Sequence, residues 1–277
     1  MASRESTIQC SEAGCISLTV CSLASGSSGN ATVVKSEEAC ILFDAGVSMR
    51  YTIGCLEKLQ IEPDVIDGIF LSHEHSDHIK SAGVLSRNLK VPLWSNEGTW
   101  VAAEKRLGNV HQQKRFITEK TVLIKDLEIL PIPVSHDAAE PVCFRIRQMG
   151  KNIQVGIVTD IGILTPPVKH YLHNSELIML ESNFDLDMLV NGTYPENVKL
   201  FILGDLGHLS NHEAGESLIE LMGKNTKHVL LSHISQDNNT PDLAYNTVLK
   251  ILQREGIMKP NLGLTFHNRM SKIISLH

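Results

Sequence analysis

Leu71 to His78 reads L-S-H-E-H-S-D-H, and no other stretch restricts this chain as much. Four side chains able to ligate a metal fall within six positions: His73, His75, Asp77 and His78. The residues before it, Asp67-Gly-Ile-Phe-Leu-Ser, read as a short buried strand, an apolar run bounded by a turn residue. Ligand-type side chains therefore stand where a strand runs out into a loop. In extended chain His73 and His75 point to the same side, so both imidazoles can reach one ion. As the chain turns, Asp77 and His78 are aimed at a second ion beside the first. Imidazole and carboxylate without thiolate suit Zn²⁺, Mn²⁺ or Fe at a hydrolytic site. A His-rich surface loop would look the same in isolation. The rest of the chain decides against it.

Four other apolar runs end in a ligand-type residue: F-D-A-G at Asp44, V-S-H-D at His136, V-T-D-I-G at Asp160 and L-S-H-I-S at His233. Polar groups at the ends of buried strands meet along one edge of a sheet. Each ending alone says little, but together with the first they make a metal-dependent site the expected reading.

Around these endings the chain alternates strand-rich and helix-rich stretches twice, with no linker. The pattern predicts an α/β fold of two face-to-face sheets with helices outside. Residues 16–277 are expected to form one domain, and residues 1–15 a disordered tail. The start has no apolar core of the kind a secretory signal needs, and no apolar run is long enough to span a bilayer. Scattered cysteines without C-x-x-C spacing fit buried thiols, so a cytoplasmic location without membrane contact is expected. Three helix starts are marked in the sequence: Asn96, the Ser210/Glu213 capping box, and Thr240 before Pro241. The loop Ser25-Gly-Ser-Ser-Gly-Asn30 joins two strands. It reads first as a hairpin turn and second as a phosphate cradle, with Ser27, Ser28 and Asn30 as candidate substrate contacts. The net charge of −6 over 277 residues argues mildly against a broad nucleic-acid platform. Lys105, Arg106, Lys114, Arg115, Lys120 and Lys125 form a local basic cluster, either a surface for nucleic acid or an ordinary solvated face.

The order H-x-H-x-D-H, His, Asp, His resembles the metallo-β-lactamase superfamily from about Ile16 to the end of the chain. The resemblance implies an αββα sandwich holding two divalent ions, Zn or Mn. It assigns His73, His75 and His136 to one ion, Asp77, His78 and His233 to the other, and Asp160 to both. Asp77 is also counted among the catalytic residues, and Asp44 braces the ligand loop without touching metal. The G-H-L-S-N turn followed by L-S-H is similar to the phosphodiesterase branch. There a His on that turn, here His208, protonates the leaving oxygen, and a Glu at a strand end, here Glu181, orients it. The lesser reading is that His208 only packs the helix start. Ser210 and Asn211 on the same turn are candidate substrate contacts. The intervals between ligands leave no room for the insertions of the larger nucleases. S-L-A-S-G-S-S-G-N, G-H-L-S-N and L-S-H-x-S-x-x-N-N-x-P resemble the small WalJ/YycJ-like group, which implies 5′→3′ exonuclease action on DNA. One departure is Leu206, where a basic residue would be expected. Alternatives are a small cyclic or linear phosphodiester as substrate, thioester or lactone hydrolysis, or a binding protein with a relict site. The oligomeric state is not legible.

Overall fold

A computed structural model describes residues 18–257 and 260–277; the expected N-terminal tail lies outside them. Two seven-stranded sheets stack. The first contains β1 (Leu18–Ala24), β2 (Ala31–Ser36), β3 (Cys40–Phe43), β4 (Gly68–Phe70), β5 (Pro92–Ser95) and β6 (Gln112–Arg115). It is completed beside β1 by β14 (Ile274–Leu276). The second contains β7 (Val122–Ile124), β8 (Leu127–Pro133), β9 (Val142–Gln148), β10 (Gln154–Val158), β11 (Leu177–Glu181), β12 (His228–Ser232) and β13 (Asn261–Leu264). In each sheet an antiparallel part runs into a parallel one: β3 to β6 are parallel, as are β10 to β13.

Period-two side-chain alternation sorts the core into three layers. Between the sheets lie Val20, Ile41, Phe43, Phe70, Phe144, Met179 and Leu230. The opposite faces of the same strands carry Cys21, Leu42 and Ile69 on one side and Ile178, Leu180 and Leu231 on the other. Helices cover these outer faces: α1 (Met49–Lys58), α3 (Ala82–Leu89) and α4 (Glu97–Leu107) on the first, and α5 (Pro166–Leu172), α8 (Asn211–Leu221) and α9 (Pro241–Arg254) on the second. The architecture is the expected αββα sandwich. Strands buried on both faces explain why their sequences read as continuous apolar runs.

The marked helix starts hold. Asn96 accepts from the Thr99 N–H, Thr240 from the Leu243 N–H, and Ser210 and Glu213 form both bonds of a capping box. The sequence did not announce α2 (Ser76–Ile79), α3, β6 or α6 (Leu186–Asn191). β6 is an edge strand of polar, largely exposed residues, so it has no alternation to detect. α2 is one turn wound on the ligand residues themselves. The residues of α7 (Glu196–Ile202) are half-buried or exposed, none fully buried. Cys21, Cys40, Cys55 and Cys143 are free and buried.

Candidate metal centre

Parallel strands place their C-terminal ends along one edge, where open α/β sheets collect ligands. Asp44 follows β3, His73 follows β4, Asp160 follows β10, Glu181 ends β11 and His233 follows β12. Asp44, Asp160 and His233 all adopt left-handed backbone, with φ of 58°, 56° and 51°. That conformation is uncommon for residues with a Cβ and concentrates where the surroundings over-determine it. Two glycines allow the loops to close. A Cβ on Gly46 would fall 1.5 Å from the Asp77 carbonyl oxygen, and one on Gly162 would fall 2.1 Å from that of Asp205.

The ligand-type side chains converge in two sets, with a third group beside them in which Glu181 and His208 join Asp160 and His233. His73, His75 and His136 bring one donor atom each within 4.8 Å of one another. So do Asp77, His78, Asp160 and His233. Asp160 stands between the sets: its Oδ2 is 3.0 Å from His78 Nε2, and its Oδ1 is 3.4 Å from His233 Nε2 and 3.8 Å from His136 Nε2. All the residues singled out as ligands are thus brought together.

The surrounding hydrogen bonds fix which nitrogen faces inward. His78 Nδ1 donates to Asp44 Oδ2 at 2.8 Å. Ser72 Oγ donates to the same carboxylate and lies 3.0 Å from His73 Nδ1, from which it can accept. Asp44 also accepts from the Ser72 N–H. One carboxylate thereby orients two imidazoles and turns each Nε2 away from itself towards the other ligand-type groups. His136 Nδ1 donates to the Gly207 carbonyl at 3.2 Å, and His233 Nδ1 lies 3.2 Å from Glu181 Oε2. His73 Nε2 is buried without a hydrogen-bond partner, and Asp160 Oδ2 and His233 Nε2 face only other ligand-type atoms, 3.0 Å from His78 Nε2 and 3.4 Å from Asp160 Oδ1. Buried polar atoms are rarely left so. Inward-facing imidazole lone pairs around shared carboxylates are the donor set of a divalent-cation site, and the residues fit one.

Charge in the second set tells the same story. Burial opposes ionisation of Asp160, but His233 and His78 outweigh it and hold its pKa well below the carboxylate range. Burial likewise opposes charge on His78, where Asp160, Asp44 and Asp77 win and raise its pKa well above the usual imidazole value. His233 is raised in the same way, chiefly by Asp160. Without a metal, these carboxylates draw protons onto the imidazoles: the set demands positive charge. In the first set burial dominates and lowers His73 and His136.

Glu181 is fully buried. Its oxygens accept from the Asp160 and Leu209 N–H groups at 2.8 Å each and from His208 Nδ1 at 3.1 Å. These bonds occupy both oxygens, so Glu181 braces the site although its position would also suit a ligand. Burial opposes the charge of His208, but Glu181 outweighs it and raises its pKa. The His208 ring lies 5.3 Å from that of His136 and 5.4 Å from that of His233, at the rim of both sets.

Three expected substrate contacts are corrected. Asn30 is buried, and its Nδ2 donates to Asp77 Oδ2 at 3.1 Å and to the Gly26 carbonyl. It holds a ligand and closes the hairpin. Ser210 is occupied as the helix cap. Asn211, 1% exposed, bonds with Ser182 and Asn239 in a buried amide cluster. Ser27 and Ser28 are exposed on the hairpin, as substrate contacts would need to be. Ser72 has no role in the sequence reading, nor has Asn183, whose Nδ2 donates to the His233 carbonyl at 2.9 Å, and Asn239 enters it only inside the L-S-H-x-S-x-x-N-N-x-P stretch. Ser72 had a signal: Leu-Ser-His occurs twice, at Leu71–His73 and Leu231–His233. Two members of the basic cluster are paired, Arg115 with Glu97 and Lys125 with Asp67.

Residues 24–148 match the profile of the Metallo-beta-lactamase superfamily, and the chain belongs to that superfamily. Exodeoxyribonuclease YycJ of Bacillus anthracis is 36% identical over 236 residues, covering 84% of this chain and 89% of that protein. Exodeoxyribonuclease WalJ of Streptococcus pneumoniae serotype 2 is 37% identical over 234 residues, covering 83% and 86%. Among solved structures, the metallo-beta-lactamase fold protein YhfI of Bacillus subtilis superposes with a TM-score of 0.70 at 15% identity, over 93% of this chain and 99% of that one. Fold and clusters together support metal-dependent hydrolase chemistry.

Proposed function

We propose that this chain is a dinuclear-metal phosphodiesterase that degrades DNA exonucleolytically in the 5′→3′ direction. The observation that carries the phosphodiesterase reading is the Glu181–His208 pair beside the metal centre; the similarity to two exodeoxyribonucleases supports DNA as substrate. Zn²⁺ or Mn²⁺ ions would be held by His73, His75 and His136 on one side and by Asp77, His78 and His233 on the other, with Asp160 shared. Bound there, they would supply Lewis acidity to activate water and positive charge to offset that of the phosphate.

The chain's own part is positioning and proton transfer. Glu181 fixes the His208 ring through Nδ1 and favours its charged form, which leaves the second proton on Nε2. An alkoxide leaving from phosphorus needs that proton. Glu181 also holds His233, so acid and ligand share one brace. Asn30 and His78 hold Asp77 in place.

A small phosphodiester is the second reading, favoured by the partly neutralised basic cluster and the net charge of −6. A gel assay of metal-loaded protein on single- and double-stranded DNA, labelled at either end, separates them. Stepwise loss of nucleotides from 5′ ends is expected. Cleavage confined to small diesters would replace the first reading with the second.

A further inference from the structure

A cavity of about 340 Å³ adjoins His233, with Ser25, Ile234, Gln236, Asn239, Phe266 and His267 in its wall. It lies where two stretches come together that the metal centre does not use in full, Ser25–Asn30 and Ile234–Pro241. Ile234 follows His233 directly, and Ser25 Oγ accepts from the His233 N–H at 3.0 Å. The cavity and the metal centre therefore share a backbone wall.

The lining has the chemistry of a base site. Phe266 offers a half-buried aromatic ring, with the Arg269 guanidinium 3.8 Å from its centroid. Most polar groups in the wall are already bonded: Ser25 to His233, Asn239 to the Ser182 and Asn183 carbonyls and to Thr240. Gln236 and His267 are exposed and have no hydrogen-bond partner among the described residues. An amide carrying both donor and acceptor beside an aromatic ring suits an unstacked nucleobase read on its edge. Charge separates this cavity from four others, each of which carries at least one carboxylate: Glu97, Asp67, Asp242 or Glu176. No carboxylate lines this one, although Asp242 lines the neighbouring cavity that shares Pro241 and Phe266 with it.

We infer that the cavity beside His233 is a nucleobase subsite, taking the base of a nucleotide next to the phosphodiester held at the metal centre. The inference rests on the phosphodiesterase reading above and adds where the strand runs: past His233 towards Phe266.

The test is an abasic scan with the metal-loaded full-length chain. Oligonucleotides of one sequence, each lacking a single base at a different position from the cleaved end, are compared by the rate of first cleavage. Removal at one position next to the cleaved bond should slow the reaction about 10-fold, in line with the worth of one stacked base, and removal elsewhere much less. Phe266→Leu keeps an apolar side chain and removes the ring. It should slow cleavage of the intact strand and add little on the strand abasic at that position, because ring and base then belong to one interaction. Equal rates wherever the base is missing overturn the subsite and leave the exonuclease reading standing. Cleavage of small diesters without any cleavage of oligonucleotides overturns both.

Discussion

The two ligand sets lie side by side on one edge and solve the same problem differently. His73, His75 and His136 form an all-imidazole set, two from the loop after β4 and one from the loop between β8 and β9. Their lowered pKa values keep His73 and His136 unprotonated and ready to ligate. Asp77, His78, Asp160 and His233 include two carboxylates, and without metal their imidazoles hold protons in its place. The first set is preset for a cation by burial, the second by charge. Asp160 lies 3.8 Å from His136 in the first set and 3.0 Å from His78 in the second, so the two cannot be independent.

The largest effect should come from removing that link. Asp160→Ala is expected to abolish turnover and to strip both ions, read by elemental analysis after full loading, which should give close to two per chain in the parent. A variant that keeps two ions would show that the sets are separable. His208→Ala should keep both ions and slow cleavage of an ordinary phosphodiester about 10²–10⁴-fold, the worth of a positioned acid. An aryl diester, whose leaving group needs little protonation, should lose much less. Equal losses on both substrates would make His208 a phosphate grip. Asp44→Asn should cost about 10–100-fold in metal affinity. The loss should fall on both sets, since Asp44 reaches His78 directly and His73 through Ser72. A loss confined to one set, seen by titration of metal into chelator-treated protein, would break the shared-brace account.

The smallest effect separates the strategies most sharply. His78 and His233 are raised above the ordinary imidazole pKa without metal, so near pH 6.5 both carry protons that must leave before they can ligate. Filling the second set should therefore release protons and weaken as pH falls, whereas the first should release few. Calorimetry in buffers of different ionisation heat would count them; equal release at both steps would erase the distinction.

The ligand endings were readable because each sits on a buried apolar run, where a lone Asp or His stands out. The same contrast exposed Glu181 at the end of L-I-M-L-E. Asn30, Ser210 and Asn211 were misplaced for the opposite reason. In polar turns, sequence does not distinguish a side chain facing substrate from one closing the turn. The sandwich was legible from doubly buried strands, whereas edge strand β6 and the short helices around the ligands owe their form to neighbours distant in sequence.

The first four ligand residues fall within six positions of the chain, while His136, Asp160 and His233 follow strands of the other sheet. A bound metal pair would thus staple the sandwich across its hydrophobic layer. The staple is lopsided: His73 to His78 can still chelate after the chain unfolds, because their spacing is local. Metal that stays on the unfolded chain contributes nothing to the folding equilibrium. Heat resistance gained on loading should therefore fall short of what the total affinity implies, and the shortfall measures how much of the site is already present in six residues of unfolded chain.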